Sequence, residues 1–317
     1  MDYFKKFEGY MGSTPTPKDH REYWDRALKE LEATPVNLSM TRADFNVPSA
    51  DAYDMYFDGL GGARIYAKCL VPKGASAENK VGALLLFHGY GGSSEDWSKA
   101  LGFAAQGFVT LSLDVRGQAG KSRDNLITNG STCYGQVMRG VDEHPDKLFF
   151  RYVFTDVVRL AHIAMGLGFV DENNVCAYGI SQGGGLALAL AGLEPKIRKV
   201  AYQYPFFCDY KKAYEVGAIG PYGQIAEYFA NFDPLHERED EIFMQLGYID
   251  VSKLCEYIKA EVMFFTGLKD TTCPPITQCA AYNLIKSKKQ VFFYPEYGHS
   301  TLLGATDKAI MFLKDLI

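Results

Sequence analysis

A chain of 317 residues, 47% hydrophobic and 22% charged, has the make-up of an ordinary soluble globular protein with a sizeable core, as one large α/β domain or two smaller ones. Its net charge of −5 gives no electrostatic case for nucleic acid or an anionic membrane as partner. Seven cysteines, at 69, 133, 176, 208, 255, 273 and 279, form no C-x-x-C pair, which argues against both a zinc site and a thioredoxin-type motif.

Residues 1–46 read as an N-terminal extension. Residues 1–7 hold no apolar signal core, and no run anywhere approaches a membrane span, so a reduced, cytoplasmic protein is the economical expectation. Pro15-Thr16-Pro17-Lys18-Asp19-His20 leads into a predicted helix over 22–31. Alternating Tyr53, Met55 and Phe57, a Gly59-Leu60-Gly61-Gly62 turn and the run 65–71 predict a β-hairpin over 50–72 at the edge of a sheet. Residues 81–87 and 108–114 are continuous apolar runs, the mark of parallel strands buried on both faces. The first ends in His88-Gly89-Tyr90-Gly91-Gly92 and the second in Val115-Arg116-Gly117-Gln118. A long irregular segment follows to about residue 148, then a helix over 152–167 with Val153, Val157, Val158, Ala161 and Ala164 at helical spacing.

Next come a short buried strand over 175–178, a small-residue helix over 184–191 and a strand over 200–205. Residues 206–258, rich in Tyr and Phe and helical in pattern, interrupt the alternation and read as an insertion. Alternation resumes with a strand over 262–266, a helix over 275–285, a strand over 290–294 and a closing helix over 305–316. Strands alternating with helices in this way predict a single α/β domain, a mostly parallel sheet with helices on both faces.

Gly179-Ile180-Ser181-Gln182-Gly183 sits between strand and helix and matches G-x-S-x-G, a serine held on a strained strand-to-helix turn. Side chains at 179 and 183 would collide as strand and helix approach. A serine hydroxyl needs a base, and His299, alone among six histidines, follows the last strand. Asp270 follows the penultimate strand, and Ser181, Asp270, His299 is the chain order of an α/β-hydrolase triad. Lys269-Asp270-Thr271-Thr272 also reads as a plain polar turn. An oxyanion needs two donors, for which the N–H groups of Gln182 and Tyr90 are the candidates. His88 reads as structural. Arg116, beside Asp114, reads as a buried Arg–Asp or Arg–backbone brace of the active-site loops rather than a substrate ligand. Cys273 lacks a second histidine to serve it as a nucleophile.

These residues resemble the acetyl xylan esterase / cephalosporin C deacetylase family of α/β-hydrolases, carbohydrate esterase family 7. The resemblance rests on five motifs in order: Phe87-His88-Gly89-Tyr90-Gly91-Gly92 with Trp97; Asp114-Val115-Arg116-Gly117-Gln118 with Ser122 and Asp124; Gly179-Ile180-Ser181-Gln182-Gly183-Gly184-Gly185; Gly267-Leu268-Lys269-Asp270-Thr271-Thr272-Cys273-Pro274-Pro275; and Tyr294-Pro295-Glu296-Tyr297-Gly298-His299. It implies an α/β-hydrolase fold, ring-like homo-hexamers, and deacetylation of short xylo-oligosaccharides and cephalosporin C with no metal or other cofactor. Two positions depart from the pattern. Ser300 stands where the family has Glu, and Ala119 where a glycine commonly follows the RGQ motif. A serine peptidase of prolyl-oligopeptidase type shares the triad order, but no propeller-sized segment precedes the core. A binding module on this fold would have lost its nucleophile or base, and both are present.

Overall fold

The computed structural model describes residues 3–129 and 135–317. Cys133, counted above, and part of the irregular segment before residue 148 lie outside the described residues. Among the described residues nine strands form one sheet in the order β1-β2-β3-β5-β4-β6-β7-β8-β9. They are β1 (Ser39–Arg42), β2 (Ala50–Asp58), β3 (Arg64–Pro72), β4 (Val81–Phe87), β5 (Val109–Leu113), β6 (Val170–Ile180), β7 (Lys199–Gln203), β8 (Glu261–Gly267) and β9 (Lys289–Tyr294). Strands β1, β2, β3 and β5 pair antiparallel, and β5, β4, β6, β7, β8 and β9 run parallel.

The continuous apolar runs have a simple origin. Successive side chains in a strand point to opposite faces, and here both faces are covered. Val175 and Ala177 of β6 enter the larger core, while Cys176 and Tyr178 enter a second core on the other side. Strand β8 divides likewise, Val262 and Phe264 against Met263 and Phe265. The larger core is closed by α1 (His20–Ala33), α3 (Phe149–Gly166), α4 (Gln182–Leu193) and α8 (Pro275–Leu284). The opposite face carries α2 (Trp97–Ala104) and α9 (Ala305–Leu313). Between β7 and β8, residues 206–258 hold α5 (Tyr210–Glu215), α6 (Gly223–Phe232) and α7 (Glu239–Gly247). No helix among the described residues is long and apolar enough to cross a membrane.

Three elements differ from the sequence reading. The hairpin of β2 and β3 is not at the edge, because β1, inside the N-terminal extension, pairs with β2. Ser39-Met40-Thr41-Arg42 is short and largely exposed, so it has no apolar alternation to betray a strand. Helix α2 buries only Ala100, Phe103 and Ala104, a stripe too brief to stand out. Strand β6 also begins earlier than expected, through the polar stretch Asp171-Glu172-Asn173-Asn174.

Candidate active site

The carboxyl ends of β4, β6, β8 and β9 meet at one edge of the sheet, where ligands bind in open parallel sheets. Ser181 caps α4 with φ +58° and ψ −119°, a strained conformation for a residue with a side chain. Glycine makes the turn possible. A Cβ on Gly179 would run into the Gly183 carbonyl, and one on Gly183 into the carbonyl of Phe87. The elbow is held from outside as well, with Ser181 N–H donating to Gln203 O at 3.0 Å and Phe206 N–H to Ser181 O at 3.0 Å.

The imidazole of His299 spans the gap between serine and aspartate. Its Nε2 lies 3.0 Å from Ser181 Oγ and its Nδ1 2.8 Å from Asp270 Oδ2. A carboxylate can only accept, so Nδ1 carries the proton in the neutral ring and Nε2 keeps the lone pair facing the hydroxyl. Asp270 is itself fixed. Its buried side chain accepts at Oδ1 from the N–H groups of Thr272 (2.9 Å) and Cys273 (2.8 Å). Backbone bonds tie the aspartate loop to the histidine loop, Lys269 N–H to Tyr297 O at 2.9 Å and Leu268 N–H to Tyr294 O at 3.0 Å. An ion pair of Lys269 with Glu296 adds to them. The two loops are therefore braced without a carboxylate at position 300.

Gln182 is the first residue of α4, so no helical carbonyl lies four residues back to take its N–H. Its side chain is fully buried and exchanges hydrogen bonds with Gln118, Gln118 Nε2 to Gln182 Oε1 at 2.7 Å and Gln182 Nε2 to Gln118 Oε1 at 3.0 Å. Gln118 Oε1 also accepts from Gly91 N–H at 2.8 Å. One glutamine thus holds both the loop that carries Tyr90 and the residue after the serine. The phenol of Tyr90 is pinned in turn, accepting from Gln136 N–H (2.6 Å) and from Gln224 Nε2 (3.1 Å) on α6.

Arg116 is the brace expected, with a different partner. Its guanidinium is fully buried and reaches both carboxylate oxygens of Asp156 on α3 (2.6 and 2.7 Å) and the Leu60 carbonyl at 3.1 Å. Asp114, the neighbour considered from sequence, accepts from Ser94 N–H (2.6 Å) and Lys121 N–H (2.7 Å) instead. Gly117, at φ +64°, passes its carbonyl to Gln136 Nε2 at 3.0 Å. The signal for Asp156 was a carboxylate among the apolar positions of the 152–167 helix. Gln136 and Gln224 had none, being single amides in irregular or inserted segments. His88 accepts from Val115 N–H at 3.0 Å through Nε2 and sits 2.7 Å from Gly89 O through Nδ1, and burial lowers its pKa. Cys273, in hydrogen-bond reach of Ser181, is buried, and burial pushes its thiol well above the ordinary range. That leaves no thiolate to compete with the serine.

Comparison with known proteins adds to this geometry. The family model described as Acetyl xylan esterase (AXE1) matches residues 1–316. Acetyl xylan esterase 1 from Thermoanaerobacterium sp. JW/SL YS485 is 45% identical, with a TM-score of 0.96 over 98% of each chain. The acetyl xylan esterase from Paenibacillus sp. R4 is 30% identical, with a TM-score of 0.93 over 99% of each chain. Acetyl esterase Axe7A of Xylanibacter ruminicola is 26% identical over 309 residues, 95% of this chain and 67% of that protein. The sheet with its two helical faces is accordingly an α/β-hydrolase fold.

Proposed function

Because the chain belongs to the acetyl xylan esterase family and is a carboxylic ester hydrolase, we propose that it deacetylates short xylo-oligosaccharides and related alcohols, cephalosporin C among them, through an acyl-enzyme on Ser181. The observation that carries this reading is the unbroken relay Ser181–His299–Asp270, with contacts of 3.0 and 2.8 Å. His299 Nε2 takes the hydroxyl proton as Oγ attacks the ester carbonyl, and Asp270 stabilises the imidazolium that forms. The N–H groups of Gln182 and Tyr90 receive the oxyanion. Collapse of the tetrahedral intermediate expels the alcohol, protonated by His299. Water then enters and adds to the acyl carbon as His299 takes its proton, and collapse breaks the Oγ–acyl bond, returns that proton to Ser181 Oγ and releases acetate.

No metal or other cofactor enters this scheme. A homo-hexamer and a cytoplasmic location belong to the proposal as well. Self-association is favoured by Val216, Ile219, Phe232, Leu235 and Met244, large apolar side chains exposed in the 206–258 segment.

Gln118 gives a test of the oxyanion assignment. Gln118→Ala removes the acceptor of Gly91 N–H and leaves Gln182 Oε1 without its donor, loosening both proposed donors together. We expect kcat for acetyl esters to fall about tenfold or more, with KM much less affected, because donors aimed at the oxyanion act in the transition state. An increase in KM at unchanged kcat would place Gln118 in substrate binding instead.

Acyl size gives a second test. The side chain of Gln182, next to the nucleophile, is buried with its amide turned to Gln118. Tyr90 is the wall we assign to the acyl side, its ring edge-on to Phe206 and its hydroxyl held by Gln136 and Gln224. A wall so fixed cannot yield to added methylenes without overpacking. Acetyl esters should be hydrolysed faster than butyryl esters and octanoyl esters hardly at all, across p-nitrophenyl, cephalosporin C and xylo-oligosaccharide leaving groups. Equal kcat/KM for acetyl and octanoyl esters would point to a lipase-like pocket.

A further inference from the structure

Tyr204 follows β7 directly and holds a backbone conformation that its own chemistry disfavours. Its φ is +29°, in a region that bulky L residues rarely enter. It also precedes Pro205, whose ring biases the preceding residue toward extended backbone. Tertiary bonds hold it there, Tyr204 N–H to Phe265 O at 2.8 Å and Phe206 N–H to Ser181 O at 3.0 Å. Such strain persists where the surroundings over-determine it, and it concentrates at functional sites. What the conformation achieves is specific. The Tyr204 ring lies against the imidazole of His299, centroids 4.6 Å apart and planes tilted by 59°. It is buried, and it also lines a cavity whose walls include Phe103 of α2, Tyr178, Ile180, Thr301 and Thr306 of α9. Among the described residues its hydroxyl has no hydrogen-bond partner, and its contact with His299 is made by the ring.

The need for such a ring follows from the reaction cycle. In the resting enzyme two hydrogen bonds fix the imidazole, one at each nitrogen. Once Ser181 is acylated, Oγ has no proton to donate and Nε2 loses its partner. A single bond to Asp270 leaves the ring free to turn about the Nδ1–Oδ2 direction, and the cavity beside Tyr204 is where it would go. We propose that Tyr204 is a positioning residue whose ring bars that movement, keeping His299 Nε2 aimed at the acyl carbonyl while water attacks. This rests on the reading of His299 as the base. It assigns Tyr204 chiefly to deacylation.

The test uses p-nitrophenyl acetate in the stopped-flow, with rates counted per Ser181 labelled by a phosphonate so that misfolded material cannot imitate the effect. Tyr204→Leu and Tyr204→Met keep apolar bulk but lose the flat ring. Both should lower kcat by about tenfold, as misplacement of a reacting group does. KM should fall with kcat, kcat/KM should change much less, and more enzyme should be trapped as acetyl-enzyme, seen as a larger burst of p-nitrophenol. Tyr204→Phe should restore wild-type behaviour. Wild-type kcat in the Leu and Met variants would overturn the proposal. So would a raised KM at unchanged kcat, which marks a substrate wall, or a Phe variant as impaired as Leu. His299→Ala separates the two levels of the argument. Retained activity there removes the base assignment itself, whereas an inactive His299→Ala beside an unaffected Tyr204→Leu removes only the role of Tyr204.

Discussion

Ser181→Ala is expected to fold as the parent does and to lose acetyl-ester hydrolysis by about three orders of magnitude or more. The fold should survive because the elbow is held by groups other than the hydroxyl. Ser181 N–H bonds to Gln203 O, its carbonyl accepts from Phe206 N–H and Gly185 N–H, and Gly179 and Gly183 leave the room that strand and helix need. Alanine at φ +58° carries the same backbone strain as serine, so its Tm should stay close to that of the parent. Only Oγ is lost, and with it the partner of His299 Nε2. The remaining rate would come from the oxyanion donors and from binding alone. A phosphonate or sulfonyl fluoride should label the parent at Ser181, located by peptide mass spectrometry, and should leave the variant unlabelled. Labelling of another serine with Ser181 intact would remove the assignment.

What could be read from the sequence, and what could not, follows from where each signal originates. Strands β4, β5, β7 and β8 and the second half of β6 were legible because a strand buried on both faces must be apolar throughout, as in Val81–Phe87. The elbow was legible because the turn demands glycine at 179 and 183. Asp270 and His299 were legible by position, each lying in the loop that follows one of the last two strands. Strand β1 was not, since an exposed edge strand of four residues has no face to pattern. The partner of Arg116 was not either. A buried ion pair is chosen by the packing of α3 against β5, and Asp114 was nearer in sequence than Asp156. Nor was the role of Gln118, whose meaning arises only when Gly91 and Gln182 come within 3 Å of it. The strain at Tyr204 leaves no trace in composition, because it is imposed by bonds to Phe265 and Ser181 from other parts of the chain.

Asp270→Asn is expected to keep the fold and to lower kcat by about three to four orders of magnitude, and the reason lies in which amide atom can face the histidine. Oδ1 of Asp270 accepts from the N–H groups of Thr272 and Cys273. In the asparagine variant only the carbonyl oxygen can take that place, so the NH₂ group must point at His299 Nδ1. A donor there requires Nδ1 to accept. The ring proton then moves to Nε2, where it faces Ser181 Oγ and leaves no lone pair for the hydroxyl proton. The two backbone bonds survive, as do the ties from Lys269 to Tyr297 and from Leu268 to Tyr294, so thermal melting should change little. Substrate affinity should also change little, because the carboxylate is buried behind the imidazole. The measurement is kcat and KM on an acetyl ester beside a melt of the same preparation. Near-parental kcat in Asp270→Asn, with activity abolished by substitution of another carboxylate in a variant that melts like the parent, would move the acid to that residue and redraw the relay.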